Sequence, residues 1–274
     1  MPELPEVETI RIQLDKFIVG SVIKNVEVLN PKYAINSKEI VNHKIISIRR
    51  FAKILSIDLD NNYSIMIHVK LTGQLIYRGQ KLKTTELSSK VIGGLTGKHT
   101  HLIFHLDNGD LYYNDVRTFG WIKIVESQKN DAVQVPEPLK DLTLDMFKGI
   151  LSKSKRSIKV LLMDQTKIGG IGNIYANDAL WDAGINPKRP SISLSISETK
   201  TLYDSILKVL KNGLKYGGAS ELAFVTPDGR EGEYQNHTLV YGHQGEVCKS
   251  CNKNKIEKYF LGGRGTYVCP NCQK

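Results

Sequence analysis

No apolar run in this 274-residue sequence approaches the roughly 20 residues needed to cross a bilayer, which excludes a helical membrane span. The opening, MPELPEVETIRIQLDKF, has acids where a secretory signal carries lysines and lacks an apolar h-region. No export signal is read, and the expected location is the cytoplasm, in association with the nucleoid. Internal repeats are absent, which excludes a solenoid. Cysteine is scarce, with four residues all in the last 27 positions. Acids are in deficit, 28 Asp+Glu against 38 Lys+Arg, for a net charge of +10. That balance favours a polyanionic partner, because each neutralised phosphate releases counterions. Ribosomal, membrane-surface and simply soluble proteins share it, so charge alone does not choose among them. A composition with 41% hydrophobic and 24% charged residues is that of an ordinary globular protein. The length predicts about two domains, each able to bury a core of its own.

Val7, Ile10, Leu14, Phe17 and Ile18 recur at helical spacing, with Gly20 just beyond as a stop. An amphipathic helix is therefore expected to begin almost at the N-terminus and to hold that terminus in a fixed position. From 22 to about 125 the chain reads as strands, at VIKNVEVL, KIISIRR, KILSIDLD, YSIMIHV, THLIFHL and WIKIV, broken by DNN, TGQ and DNG turns. That is a β-sandwich pattern. Residues 78–98, with Gly93, Gly94 and Gly97, are expected to form a mobile insertion or long loop. Prolines and charges in 127–139, ending in VPEPL, interrupt both periodicities and predict a linker. Beyond it, LTLDMFKGILSK, SIKVLLMD, NIYANDALWDAG and SISETKTLYDSILKVLKNGL carry helical periodicity, the last with a capping pattern from Ser195 to Glu198. After Gly217 and Gly218 come a loop-like run, ELAFVTPDGREGEYQNHT, and the cysteine-bearing tail. The expected division is 1–131, a linker at 132–139, a helical domain at 140–240 and a finger at 241–274.

The cysteines stand as Cys248-x-x-Cys251 and Cys269-x-x-Cys272. Two such pairs close a tetrahedral thiolate site around one Zn²⁺, and a small ribbon with no core of its own depends on the ion to fold. In zinc-finger peptides that binding is worth about 10 to 16 kcal/mol, more than such a tail can gain by burial. Disulfides or a redox CxxC are the alternative, disfavoured in a cytosolic chain. Four thiolates leave no open coordination position, so the metal is expected to be structural. Between the pairs, GGRGT lets Arg264 project from a hairpin tip toward a phosphate, or leaves it a solvated surface arginine.

The segments MPELPEVET, RRFAKIL, HVKLTGQL, KHTH, DVRTFGW, VPEPL, SIKVLLMD, IGGIGNIYANDALWDAGINP, VYGHQGEVC and RGTYVCPNCQK span the chain in colinear order. Together they resemble the formamidopyrimidine-DNA glycosylase family, on its bacterial, 8-oxoguanine-excising side. The PELPE opening contrasts with the PEGPE opening typical of relatives specific for oxidised pyrimidines. The resemblance implies an α+β multidomain fold: an N-terminal β-sandwich with a leading helix, a helix-two-turn-helix helical domain and a C-terminal zinc ribbon, with DNA in the cleft between domains. It also implies a base-excision-repair bifunctional glycosylase and abasic-site lyase that removes 8-oxoguanine and formamidopyrimidines from damaged double-stranded DNA and nicks by β,δ-elimination. No oligomerisation signal is read, and a monomer is expected.

On that resemblance Pro2 is the nucleophile that attacks C1′ of the damaged nucleotide once Met1 is removed, a removal that a small second residue permits. A terminal α-amine titrates near 7.7 to 8.0 against about 10.4 for lysine, so more of it is unprotonated at neutral pH. A secondary amine also gives a permanently cationic iminium. Taken alone, Pro2 merely precedes a helix. Glu3 corresponds to the acid that assists sugar-ring opening, and Glu6 to a carboxylate supporting the terminal amine, although acids there also suit the helix dipole. Lys53 matches the active-site lysine assigned to β-elimination; a strand lysine is otherwise simply exposed. Asn173 and Arg264 match the grip on the phosphates flanking the flipped nucleotide, Arg264 with a part in δ-elimination. IGGIGN is not a dinucleotide fingerprint, and it precedes a helix whose N-terminal amides can meet a phosphate. Tyr241, His99 and Lys155 match further DNA-contacting positions, and Lys159 follows on the same segment. His99 and His101 are expected to share a strand face, where packing competes with a metal pair.

Chemistry on a base takes it out of the stack and leaves a hole to fill. Arg117 and Phe119 match the family's probe and wedge, and Leu71 stands where a methionine is usual, filling space without the thioether's flexibility. Thr118 replaces the usual Arg or Lys, which removes one phosphate contact. The run at 221–238 corresponds to the segment that closes over an everted 8-oxoguanine. Two other readings stay open. A relative preferring oxidised pyrimidines or single-stranded lesions is kept alive by Leu71 and disfavoured by the opening. A lesion-binding zinc protein without turnover needs no N-terminal amine, and Pro2, Glu3, Lys53, Asn173 and Arg264 together argue against it.

Overall fold

The leading helix forms as α1 (Leu4–Ile18), with Glu3 as its N-cap in extended conformation and Gly20 beyond its end at φ 89°. Its apolar stripe, Val7, Ile10, Leu14, Phe17 and Ile18, is buried and joins a single core with the strands that follow. In this computed structural model residues 1–82, 86–127 and 135–274 are described. The expected boundary at 131/132, residues 132–134 of the expected linker, and 83–85 of the expected loop lie outside them.

Among the described residues eight strands follow α1 before the helical module: β1 (Ile23–Val28), β2 (Ile45–Phe51), β3 (Ile54–Leu59), β4 (Tyr63–His68), β5 (Gly73–Gly79), β6 (Thr100–Leu106), β7 (Gly109–Asp115) and β8 (Trp121–Glu126). They make two four-stranded sheets, ordered β1-β6-β7-β5 and β2-β3-β4-β8. All pairings are antiparallel. The sandwich was expected, but β5 and β7 were not. β5 opens on a glycine that reads as a turn, and β7 begins at the glycine of the DNG turn and ends in Asn114 and Asp115, which read as loop but are buried.

The chain divides into two compact units, Met1–Gln134 with Leu214–Gln235, and Val135–Gly213 with Asn236–Lys274. Residues 214–235 join the first unit through specific ties. Phe224 enters the sandwich core, and Val225 packs with Ile76 and Val91. The Tyr77 N–H donates to the Pro227 carbonyl at 2.8 Å, and the Gln74 amide donates to the Ala223 carbonyl at 2.6 Å. The described part of the 78–98 segment shares in this: Ser88 N–H donates to Gly229 O, and Lys90 pairs with Glu231 at 2.6 Å.

In the second unit lie α2 (Leu144–Ser152), α3 (Ile158–Leu162) and α4 (Asn173–Asp182), together with most of α5 (Ile196–Lys215). The expected cap of α5 forms reciprocally: the Ser195 hydroxyl accepts the Glu198 N–H at 3.2 Å, and the Glu198 carboxylate accepts the Ser195 N–H at 2.8 Å. Its hydrogen bond with Arg189 holds the Glu198 carboxyl down at about 2. The chain ends in a hairpin of β9 (Glu257–Leu261) and β10 (Arg264–Val268). Gly262 and Gly263, at φ 57° and 73°, form its two-residue turn, a left-handed pair that favours glycine. None of the described helices is long and apolar enough to cross a membrane.

Candidate active site and nucleic-acid interface

Pro2, Glu3 and Glu6 are all buried at the head of α1. One oxygen of Glu6 accepts the Glu3 N–H at 2.7 Å while the Glu3 carboxylate accepts the Glu6 N–H, closing a capping box. The second Glu6 oxygen accepts the Ala219 N–H, also at 2.7 Å. A single buried carboxylate thus joins the residue next to Pro2 to the base of the 219–235 run. Gly218, at φ 86°, leaves room for it; a Cβ there would stand 2.8 Å from Glu6 Cγ.

Lys53 is 5% exposed and occupies the tight turn between β2 and β3, next to Ala52 at φ 51°. The alternative of an exposed strand lysine falls away: this one sits on a hairpin tip and is buried. Glu8 takes Arg11 and Arg50 on its two oxygens, at 2.8 and 2.7 Å, and Arg50 donates onward to the Ala52 carbonyl at 2.9 Å. The turn bearing Lys53 is thereby tied to the helix that carries Pro2. Sequence reading missed Glu8 and Arg50, although their matched charges on neighbouring elements were a signal. His68, also missed, accepts the Lys70 N–H on Nδ1 at 3.0 Å. Burial, with Lys70 and Lys53 nearby, pushes its imidazole down to about 4.

A pH dependence follows. Folded His68 stays neutral where an unfolded histidine, titrating near 6.5, takes up a proton, so the unfolded state binds more protons between those values. Stability present above about pH 6.5 should be lost as the pH falls toward 4. Melting temperatures measured across that window should decline in the parent and decline less in His68→Gln. Equal slopes would show that another group is responsible.

Arg117 is exposed and lies over the exposed Phe119 ring, 4.7 Å to its centroid. Leu71 is half-buried in the turn between β4 and β5, and the next residue links the two loops: the Thr72 hydroxyl donates to Asp115 Oδ1 and accepts the Arg117 N–H at 3.0 Å. Asp115, fully buried, also accepts the Gly120 N–H at 2.8 Å and the Tyr33 hydroxyl at 3.1 Å. Leu71, Arg117 and Phe119 therefore hang from one carboxylate. Thr118, at φ 52°, receives the Lys32 ammonium on its carbonyl, so a cation stands beside this loop after all.

His99 is half-buried just before β6, while His101 lies within β6 and stacks on Tyr33 at 5.0 Å. His101 Nε2 contacts the Asp115 carbonyl at 2.7 Å and Nδ1 contacts the Asn30 amide at 3.3 Å. Packing occupies both of its nitrogens, and the alternative of a histidine metal pair falls away.

In the second unit Asn173 opens α4, half-buried, and Lys155 is exposed between α2 and α3. Arg264 is exposed at the first position of β10, against Leu261. It flanks the glycine turn rather than forming its tip. Tyr241 stacks obliquely on Tyr267 at 5.0 Å, and its N–H, with those of Leu239 and Val240, is taken by the fully buried Asp178 at 3.0 to 3.1 Å. The expectation for Lys159 is corrected. It is 0% exposed, and its ammonium donates to the Gly265 carbonyl at 2.7 Å and to Thr266 Oγ1 at 2.8 Å, so it faces the hairpin and not a phosphate. Asn177 and Asp178 were missed, although two polar residues inside an otherwise apolar helix are a signal for buried hydrogen bonding.

The four cysteines converge. Their sulfurs all lie within 4.8 Å of one another, with Cys248 to Cys272 and Cys251 to Cys269 each at 3.8 Å. Four sulfurs about 2.3 Å from a central zinc in tetrahedral array stand about 3.8 Å apart, so the cage fits that ion and is too wide for disulfides. Backbone N–H groups of Asn254 and Lys253 pull the Cys251 thiol down to about 6, whereas burial pushes Cys269 up to about 12. Burial works against the Cys248 thiolate, but the backbone N–H groups of Cys251 and Ser250 pull that thiol down, with Cys269 and the indole N–H of Trp181 adding smaller pulls. The ribbon also shares a small apolar cluster with Trp181 of α4, including Val240, Ile256 and Tyr267.

Residues 1–122 match the formamidopyrimidine-DNA glycosylase N-terminal domain, and 135–224 the formamidopyrimidine-DNA glycosylase H2TH domain. A formamidopyrimidine-DNA glycosylase of Carboxydothermus hydrogenoformans is 37% identical over 281 residues, with 100% of each chain covered. One from Pelotomaculum thermopropionicum is 39% identical over 289 residues, covering 100% of this chain and 99% of the relative. Among solved structures, Lactococcus lactis Fpg bound to abasic-site DNA is similar with a TM-score of 0.87 at 33% identity over 99% of each chain. A mutant of that enzyme with Fapy-dG-containing DNA gives 0.88 at 32% identity over 100% of each. The chain belongs to the formamidopyrimidine-DNA glycosylase family, of which lyase activity is characteristic.

Proposed function

We propose that the chain removes oxidised purines, 8-oxoguanine opposite cytosine and formamidopyrimidines, from double-stranded DNA and then nicks the strand, using the amine of Pro2 freed by loss of Met1. The observation carrying this reading is the fixing of the chain's start, where Pro2 and Glu3 are buried and Glu6 holds the Glu3 N–H at 2.7 Å. The Pro2 lone pair bonds to C1′ as the C1′–N bond to the base breaks, its electron pair leaving with the base, which takes up a proton. The nitrogen sheds its own proton to solvent. The C1′–O4′ bond then opens with Glu3 protonating O4′, leaving an iminium between Pro2 and C1′. With no further N–H to lose, that iminium stays cationic and draws electrons from C2′. Loss of a C2′ proton, assisted by Lys53, expels the 3′ phosphate; loss of a C4′ proton, with Arg264 at the phosphate, expels the 5′ phosphate.

Around this chemistry Asn173, Arg264, Tyr241, His99 and Lys155 hold phosphates, Arg117 fills the vacated stack, and Phe119 and Leu71 wedge beside it. Lys32 supplies the cation that Thr118 does not. Cys248, Cys251, Cys269 and Cys272 hold one structural Zn²⁺. Of the expected domains, 1–131 is the catalytic one and 241–274 the finger, while residues 214–235 of the expected helical domain pack with the first unit. A structure of Lactococcus lactis Fpg with DNA containing an oxidised pyrimidine, at a TM-score of 0.86, favours a second reading in which such lesions are taken too. Cleavage ratios on paired oligonucleotides separate the two.

Borohydride added during turnover should trap a protein–DNA adduct that peptide mass spectrometry places on Pro2 of the Met1-processed chain. Strand nicking with no adduct, or an adduct on a lysine, would remove the mechanism.

A further inference from the structure

Arg264 stands on an edge strand, and an arginine there is only as well placed as the strand beneath it. β10 pairs with β9 on one side. Its other edge turns the Gly265 carbonyl and the Tyr267 N–H toward α4, where Asn177, 0% exposed, meets both. Asn177 Oδ1 accepts the Tyr267 N–H at 2.8 Å, and Nδ2 lies 3.4 Å from the Gly265 carbonyl. The orientation of the amide is fixed chemically, because a backbone N–H only donates and a carbonyl only accepts. One side chain thus answers two edge groups as a neighbouring strand would.

The same Nδ2 donates to the Asn173 carbonyl at 2.6 Å and lies 3.4 Å from Asn173 Oδ1, one helical turn earlier on the same face. A second path runs beside the first. The buried Lys159 ammonium donates to Gly265 O and Thr266 Oγ1, and the Thr266 hydroxyl donates to the Arg264 carbonyl at 3.1 Å. Buried polar groups this fully paired rigidify their surroundings, since any shift leaves a donor unmatched.

We propose that Asn177, with Thr266 and Lys159, is a positioning device that locks Arg264 to Asn173, so that two phosphate contacts carried by different elements move as one body. The inference rests on the reading of Arg264 as the δ-elimination residue. The clamp touches no DNA; it sets where the guanidinium stands when the second phosphate must leave, whereas the bond-making and proton transfers of the first cut fall to Pro2, Glu3 and Lys53 in the other unit. Loosening it shifts the partition between the two eliminations.

The test uses the full zinc-loaded chain on a duplex containing one abasic site, scoring 3′-unsaturated aldehyde ends from β-elimination alone against 3′-phosphate ends from β,δ-elimination. In Asn177→Leu, which keeps the branching and removes both polar ends, the aldehyde share should rise about tenfold while the first cut and the zinc content are kept. A merely destabilised protein would lose both products in proportion. Thr266→Val, a smaller change that cuts the relay to the Arg264 carbonyl, should move the partition the same way, and it decides the matter if Asn177→Leu loses its zinc. Arg264→Ala is the reference. If it shifts the partition and the folded clamp variants do not, the clamp is refuted and the role of Arg264 stands. If Arg264→Ala leaves the partition unchanged, the reading of Arg264 falls and the clamp falls with it.

Discussion

Replacing Cys269 with alanine should abolish zinc binding and, with it, strand cleavage. The four sulfurs are already spaced for a tetrahedral ion, two pairs at 3.8 Å and all within 4.8 Å. Burial pushes the Cys269 thiol up to about 12, so it takes a bound cation to hold that sulfur as a thiolate. Nothing else in the finger offers comparable stabilisation: its apolar cluster contains Val240, Ile256 and Tyr267 beside the cysteines, with Trp181 and Tyr241 partly buried against them. Zinc-finger peptides gain about 10 to 16 kcal/mol from the metal, a sum that such a cluster cannot replace. The hairpin that unravels carries Arg264, and the Lys159 and Asn177 bonds to Gly265 and Tyr267 go with it. Nicking of lesion-containing duplex should fall by at least about 100-fold, with zinc lost in proportion by atomic absorption. The sandwich unit should keep its own melting transition, having no residue in the cluster. A Cys269→Ala protein that cuts at the parental rate without zinc would show that the finger is dispensable.

What could be read in advance follows a physical division. Patterns that one element imposes on itself were legible: the stripe of α1, the Ser195 to Glu198 cap, the paired cysteines, and the strands with a clean apolar run. Features imposed by distant parts of the chain were not. β7 ends in Asn114 and Asp115, and polar residues at a strand end look like a turn until Tyr33, Thr72 and Gly120 are seen to share the Asp115 carboxylate. The run at 219–235 has little regular structure, and what anchors it is Phe224 in a core built by residues far earlier in sequence. Lys159 is the sharpest case at the site. A lysine in a basic, DNA-seeking chain reads as a phosphate contact, yet the neighbouring Ile158, Leu161 and Leu162 carry it into the interior, where a carbonyl and a hydroxyl accept from it. Residue types that perform chemistry leave their mark in the sequence. Partners that aim them, such as Glu8 with Arg50 or Asn177 with Gly265, depend on the fold to be brought together.

Glu6→Gln should reduce formation of the Pro2 adduct by about 100-fold, the scale on which a displacement of order 1 Å acts on a reacting group. The substitution is nearly isosteric, so its effect comes from the lost charge and the lost acceptor oxygen and not from a change of shape. Glu6 uses one oxygen for the Glu3 N–H and the other for the Ala219 N–H, both at 2.7 Å. An amide has a single acceptor oxygen, and its NH₂ would be pressed against whichever N–H it does not serve. Rotation gives no escape, because Gly218 packs so closely that even a methyl group there would stand 2.8 Å from Glu6 Cγ. One backbone donor is left buried and unpaired at a cost of about 1 to 3 kcal/mol, enough to lower the melting temperature without unfolding the unit. Whichever bond is lost, the residue following Pro2 or the root of the 219–235 run moves, and the start of the chain and that run cease to be held by one group. Gly218→Ala should act in the same direction, pushing on Glu6 from outside and straining a backbone at φ 86°. Borohydride trapping rates, measured beside zinc content to show that the second unit is intact, give the readout. If Glu6→Gln forms the adduct as fast as the parent, the carboxylate is a helix cap and nothing more.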